Sequence, residues 1–412
     1  MNATDLQSSP NPLSRDYSRF RVSERLLLTG HSHQAWPDCG FAAQQQAWLD
    51  AAELVDDKWP RVFAKVEEVR RGYARLLGGP PPYPQPLSPG GARGATSEAD
   101  ADIALDQNTL ELVVRFISAL PLRSRPRLVS TNGEFHTLRR LLDRLAEEDG
   151  IEVVRVASDP VATLAERLSA AIDDRTAAAF CSTVMFRTAH IVPGLPHLAA
   201  TCQYHGAELL LDAYHHLNVV PFNPTGLERA YVVGGGYKYC QLGEGVCFLR
   251  LPEDCTLRPI TTGWFTEFDE LASKSSTQVG YGRGAMRFAG ATFDPTSYYR
   301  AAAVFAYLAE RGLTPTLLRE VSQHQVRLLA ERFDALDLDP AMIRRDRTAP
   351  LEEVGGFLVL VSPQAGAICT KLKEAGVWTD HRGDALRLGP APYLSDAQLI
   401  EAMERLVRVI KV

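Results

Sequence analysis

A carboxylate, a histidine and a lone lysine fall within one stretch, residues 208–245, ELLLDAYHHLNVVPFNPTGLERAYVVGGGYKYCQLGEG. Lys238 follows Gly234, Gly235, Gly236 and Tyr237. Glycines remove side-chain bulk, so such a turn can bring an amine close to a flat ligand. A lysine amine forms a Schiff base with an aldehyde, and an acidic partner keeps a pyridine nitrogen protonated so that the ring accepts electrons; pyridoxal phosphate chemistry needs both. Asp212 fits the second role. An opposite charge in close contact is worth roughly 1.4 to 4 kcal/mol, enough to decide whether that nitrogen keeps its proton at neutral pH. Each residue also has a plain structural reading, a strand-end Asp as a cap and Gly-Gly-Gly before Lys as a loop. A phosphate-loop reading fails, because no GxxxxGK[ST] is present and Tyr239 follows Lys238.

These residues need elements to hold them. The apolar run 208–211 reads as a buried strand delivering Asp212 at its carboxyl end, and 230–233 as the next strand, emptying into the triple glycine. Ligands of open α/β sheets sit at that edge. From 51 to 295 helix and strand alternate, as a mostly parallel sheet covered on both faces requires. The proline-rich run 78–94 interrupts it as an extended surface loop. Gln107, Asn108 and Thr109 open a helix through Leu110, Val113, Val114 and Ile117. A helix N-terminus welcomes an anion, although Asn108 and Thr109 serve equally as ordinary caps. A strand from 127 to 129 runs into Phe135, ahead of a helix with Leu138, Leu141, Leu142 and Leu145 on one face. After Pro295 come helices at 298–311 and 317–336, a strand at 357–361, a helix at 365–375, a strand at 385–388, and a last helix with Ser395 and Gln398 as its capping box. The expected division is an arm plus part of a small domain in 1–50, a large cofactor-binding domain in 51–295, and a small α+β domain in 296–412.

Taken together, these segments resemble fold-type I pyridoxal phosphate enzymes of the class V aminotransferase group, and within it kynureninase. Asp212-Ala213-Tyr214-His215 is similar to the family's Asp-x-x-His, and Tyr237-Lys238-Tyr239 to its Tyr-Lys-Tyr. Gly263-Trp264-Phe265, the segment RGAMRFAGATFDP at 283–295, and LRLGPAPY at 386–393 resemble three further family stretches in the same order. The resemblance implies a large domain with a mostly parallel seven-stranded sheet between helices. It also implies Lys238 as the aldimine lysine and proton shuttle, Asp212 beneath the pyridine nitrogen, His215 beside the ring, and Phe135 stacked on it. Gln107, Asn108, Thr109, Tyr237 and Trp264 would hold the phosphate, and Thr292 would reach it from the neighbouring subunit of a homodimer. Arg387 would grip a substrate α-carboxylate with its planar fork. His33, and Arg187 in its own loop, would touch substrate.

The implied reaction on an α-amino acid is hydrolytic Cβ–Cγ cleavage, with Tyr237 as proton donor. Two departures touch the substrate side. Thr266, Glu267 and Phe268 stand where the family has Gly-His, and Ala291-Thr292-Phe293-Asp294-Pro295 stands where it has asparagine before Pro-Pro. A β-lyase, desulfurase or aminotransferase reaction on another amino acid is the alternative, followed by a non-catalytic cofactor-binding module. Cys369 falls inside the expected helix 365–375, which argues against persulfide chemistry there.

The chain's 412 residues, 45% hydrophobic, suffice for one large and one smaller domain. A net charge of −6 argues against a nucleic-acid surface. The first 20 residues contain no apolar signal core, and no later run approaches the roughly 20 apolar residues that span a bilayer, so a cytoplasmic protein is expected. Seven cysteines without a CxxC pair favour neither disulfides nor zinc. His31 and His33 lack a third ligand of suitable spacing, so no metal site is expected.

Overall fold

The computed structural model describes residues 1–79, 103–148, 150–267 and 278–411. Most of the expected proline-rich loop, from residue 80 on, and Phe268 lie outside them. Among the described residues the largest sheet has seven strands: β2 (Ile103–Asp106), β3 (Arg127–Thr131), β4 (Glu152–Val156), β5 (Thr176–Ser182), β6 (Glu208–Asp212), β7 (Tyr231–Gly235) and β8 (Cys247–Arg250). Their order is β2-β8-β7-β6-β5-β3-β4, and β8 alone runs against the rest. Strand β5, with sequence TAAAFCS, is buried at every position, because helices cover both faces of a parallel sheet.

Parallel neighbours need crossovers, supplied by α4 (His136–Ala146), α5 (Leu164–Ala170) and α6 (Leu195–His205). Helix α3 (Thr109–Ser118) buries Leu112, Val113, Phe116 and Ile117 against the sheet and is capped by Asn108, whose side chain accepts the Glu111 N–H. Ahead of the sheet lie β1 (Leu26–Leu27), α1 (Cys39–Leu54) and α2 (Trp59–Leu76), and behind it α7 (Thr296–Glu310), against which α1 and α2 pack.

The remaining elements are α8 (Pro315–Asp334), β9 (Arg344–Arg345), β10 (Leu358–Val361), α9 (Ala365–Glu374), β11 (Val377–Trp378), β12 (Asp380–Arg382), β13 (Ala385–Leu388) and α10 (Asp396–Lys411). Four of these strands form an antiparallel sheet in the order β12-β13-β10-β9. Strand β1 pairs in parallel with β11, Leu26 opposite Val377, as a separate two-stranded sheet that joins the N-terminal segment to the C-terminal part of the chain. The capping box forms as expected, with Ser395 N–H donating to Gln398 Oε1 at 3.0 Å.

Every parallel strand of the large sheet, and β2 beside them, ends at the same edge. Asp212 closes β6 there, and the Gly234-Gly235-Gly236 turn leaves β7 there.

Candidate functional site

The side chains gathered at that edge enclose one cavity of about 260 Å³, lined among others by Asp212, Tyr214, His215, Tyr237 and Lys238. Gln107, Asn108 and Thr109 lie on its wall, as do Phe135 and Phe186. Strand ends from β5, β6 and β7 and the start of α3 therefore place side chains from distant parts of the sequence around one void.

Lys238 is only 5% exposed. Its Nζ lies 2.7 Å from His215 Nε2, 4.4 Å from the Tyr214 ring centre and 5.3 Å from that of Phe135. Burial lowers the amine's pKa to about 7; Asp212 opposes this, while Arg387 and Arg382 add to it. A neutral amine is thus available near neutral pH. Burial also keeps His215 well below the ordinary histidine range, with the Lys238 charge pushing the same way. His215 Nδ1 is buried and makes no hydrogen bond among the described residues.

Asp212 is pushed upward by burial, while the Tyr214 N–H, donated to its Oδ1 at 2.8 Å, and the nearby Lys238 amine hold it down. The turn beneath it depends on missing side chains. A Cβ on Gly235 would collide with the Tyr214 hydroxyl and with Cys247 Sγ, so glycine there lets Tyr214 sit against the sheet.

The loop after Lys238 is fixed from several sides. Asn218 donates to the Tyr239 carbonyl at 3.0 Å, Arg300 donates to the Leu242 and Glu244 carbonyls, and Tyr17 donates to Gln241. Gln241 takes a left-handed conformation, φ 60°, with its side chain donating to Gln34 Oε1 at 2.8 Å. Gln34 N–H in turn donates to the Tyr237 carbonyl at 3.2 Å, so the N-terminal segment braces the lysine. His33 sits at the rim, 3.1 Å from Glu244 and stacked on Tyr237.

At the other end of the cavity Asn108 spends its side chain on the Glu111 N–H at 3.1 Å. The other first-turn amides of α3 have no intrahelical acceptor, which suits a phosphate. An amine, a carboxylate, a flat aromatic ring and a helix N-terminus around one void match the needs of a phosphorylated pyridine aldehyde. The unpartnered His215 Nδ1 leaves a polar atom for it.

Several expected residues fall elsewhere. Trp264 is 44% exposed and packs on Phe265, and it does not line the cavity. Thr292 lines a second cavity of about 920 Å³, which shares only Gln107 and Asn108 with the first. Arg187 corrects the expectation of a charge facing the pocket: it pairs with Asp384 at 2.5 Å on a half-exposed surface, and its neighbour Phe186 takes the cavity wall instead. The histidines of the 31–33 segment also separate, His31 going to Asp380 at 2.7 Å and His33 to Glu244. Arg387 is 2% exposed, and its fork is already filled: Nε donates to Asp380 Oδ1 at 2.8 Å and Nη2 to Asp380 Oδ2.

Sequence reasoning missed Tyr214, Glu134 with Ser182, and Asp380. Tyr214 lay inside the motif but carried no distinguishing signal. Glu134 is buried and accepts hydrogen bonds from Ser182 N–H at 3.1 Å, Ser182 Oγ at 2.6 Å and Thr131 Oγ1 at 2.7 Å. Burial lifts its pKa to about 7 despite those donors, with Asp212 adding to the rise. Ser182 lines the cavity, so Glu134 fixes one of its walls.

Comparisons with known proteins bear on the fold. Residues 318–406 match the kynureninase C-terminal domain. Curated proteins yield no match. Among solved structures, a lysine-to-alanine mutant of C-DES with glycine covalently linked to its PLP cofactor superposes with a TM-score of 0.80 at 16% identity, covering 96% of this chain and 99% of that one. The cysteine desulfurase CsdA from Escherichia coli gives 0.74 at 15% identity, covering 100% of this chain and 99% of that one. An apo cysteine desulfurase from Thermococcus onnurineus NA1 gives 0.76 at 15%, covering 100% and 98%. At these identities the likeness establishes the fold, which is the α/β architecture with a mostly parallel sheet expected from the sequence.

Proposed function

We propose that this chain is a pyridoxal 5′-phosphate-dependent enzyme that removes the α-proton of an amino acid and then cleaves a bond at its β-carbon, by kynureninase-like hydrolysis between Cβ and Cγ. The observation that carries the reading is Lys238: a buried amine with its pKa lowered to about 7, facing the same cavity as the Asp212 carboxylate and the start of α3. The partial match to the kynureninase C-terminal domain and the cofactor in the C-DES structure support it.

Bound in this cavity, the cofactor supplies an aldehyde that links to amines and a pyridine ring that takes up electrons from the α-carbon. Asp212 keeps the proton on the ring nitrogen. Lys238 Nζ anchors the aldehyde and serves as the base for the Cα proton, a role for which a pKa of about 7 is matched to neutral pH. His215 Nε2 holds Nζ in place at 2.7 Å. Phe135 would hold the ring, and the start of α3 with Gln107, Asn108 and Thr109 would hold the phosphate. Water supplies the hydroxyl of the departing acid, and Tyr237, whose hydroxyl burial keeps protonated, would give its proton to the β-carbon that keeps the electron pair of the broken bond. In this reading the chain works as a homodimer in which Thr292 completes the phosphate site of the neighbouring subunit. Thr292 lines the second cavity and not the first, which supports that assignment.

A β-lyase reaction on a sulfur-containing amino acid is the second reading, favoured by the C-DES neighbour, described as a cystine C-S lyase, and by Thr266 and Glu267 in place of Gly-His. A persulfide-forming desulfurase is less well supported: Cys247, the cysteine on the cavity wall, is buried and its thiol is pushed up to about 12. Incubation with kynurenine and 3-hydroxykynurenine, in parallel with cystine, separates the two. Anthranilate-type product plus alanine supports hydrolysis, and pyruvate with ammonia supports the lyase. Neither product, with no exchange of any α-proton, refutes both.

A further inference from the structure

Arg387 and Asp380 face each other directly across the β12–β13 pair, and the two carboxylate oxygens fill the guanidinium fork as an external carboxylate would. Asp380 is not held by Arg387 alone. His31 Nε2 donates to its Oδ1 at 2.7 Å, and Arg382 Nη1 lies 3.6 Å from its Oδ2. Burial lowers the His31 pKa to about 4, so this histidine is neutral. Two guanidinium groups therefore share one carboxylate, and the cluster carries one positive charge in excess.

That excess charge lies beside the proposed site. Arg387 and Arg382 both act on the Lys238 and His215 charges, and Arg387 Nη1 donates to the carbonyl of Phe186, which lines the cavity. Arg382 is only partly engaged: its Nη1 donates to the carbonyl of its neighbour His381, and its Nε is buried without a hydrogen bond among the described residues. Asp380 and Arg382 sit on β12, a three-residue strand at the edge of its sheet, paired with β13 alone.

We propose that Asp380 is a resident carboxylate that occupies Arg387 until the carboxylate of an incoming amino acid displaces it onto Arg382. The proposal rests on the reading of the site as one that takes α-amino acids, and it makes Asp380 and Arg382 the residues that set substrate affinity. The exchange keeps charge balanced: one carboxylate on each guanidinium, with His31 free to follow Asp380 or stay. Substrates without a carboxylate have no means of opening the pair.

Calorimetric titration of the purified holoprotein with propionate tests this. Propionate has no amine and cannot react with an aldehyde, so the result is independent of the chemistry at Lys238. Removing the resident competitor in Asp380→Asn, which keeps the shape and a hydrogen-bond acceptor for His31, should tighten propionate binding by about tenfold or more. Arg382→Gln should weaken it by a similar factor, because Asp380 then has no second partner. The double variant should bind as tightly as Asp380→Asn alone. Unchanged or weaker binding in folded Asp380→Asn overturns the proposal. Should that variant fail to fold, Arg382→Gln at a half-exposed position decides: wild-type affinity there overturns it equally. A merely structural ion pair would lower the melting temperature without producing these opposite shifts in affinity. Failure of Lys238 to bind cofactor, with these shifts intact, would instead remove the enzyme reading and leave a carboxylate-binding site.

Discussion

Lys238 Nζ and His215 Nε2 stand 2.7 Å apart in a pocket buried from solvent, and burial keeps both groups from carrying their charge easily. A single proton shared along that contact costs less than two separate cations would in the same space. The amine is held ready to react, and its readiness has a defined pH range.

Capture of pyridoxal 5′-phosphate by the cofactor-free protein should proceed near its maximal rate above about pH 7 and slow by about tenfold per pH unit below it, as the neutral amine is lost. The sign for stability is opposite to that of a lysine in an ion pair. Between about pH 7 and the ordinary 10.5 the unfolded chain binds a proton that the folded chain does not, so stability of the cofactor-free protein rises with pH across that window. Below pH 7 the protonated amine is a constant burden. Melting curves of wild type and Lys238→Met check this, the variant losing the rise.

Asp212→Asn should keep the hydrogen bond from Tyr214 N–H and the fold while losing the charge under the ring nitrogen. Exchange of the substrate α-proton with D2O, followed by NMR, should then slow roughly ten- to a thousandfold, the range set by one close opposite charge. Cofactor content, read from its absorbance, should remain.

Glu134 ties the ends of β3 and β5 together through Thr131 and Ser182. Glu134→Ala orphans buried donors and should cost about 2 to 3 kcal/mol in chemical denaturation. Glu134→Gln should behave differently. The folded carboxyl, with its pKa raised to about 7 from 4.5, holds a proton that the unfolded one has released, so this group's contribution to stability falls as pH rises through that interval. The amide variant should flatten that slope.

Much of this arrangement was legible in the chain because burial and periodicity leave a trace. The strands carrying Asp212 and the triple glycine, the helix after Gln107-Asn108-Thr109, and the Ser395–Gln398 box all lie where apolar runs and caps place them. Partnerships across the fold left no such trace. Asp380 belongs to a three-residue edge strand, DHR, without an apolar pattern, so nothing local showed that it fills the Arg387 fork. Arg187 read as a pocket charge because its loop approaches the site, yet adjacent side chains of an irregular loop point different ways, and Phe186 is the one that faces in. Thr292 belongs to a motif whose meaning depends on a second subunit in the resemblance, and within one chain neither it nor Trp264 lines the Lys238 cavity.

The most direct measurement is borohydride reduction of the protein loaded with pyridoxal 5′-phosphate, followed by peptide mapping. The label is predicted on Lys238, in the peptide containing Gly236-Tyr237-Lys238-Tyr239, with none in Lys238→Ala. A label on another lysine, or a Lys238→Ala protein that still traps the cofactor, would contradict the assignment on which the proposed chemistry depends.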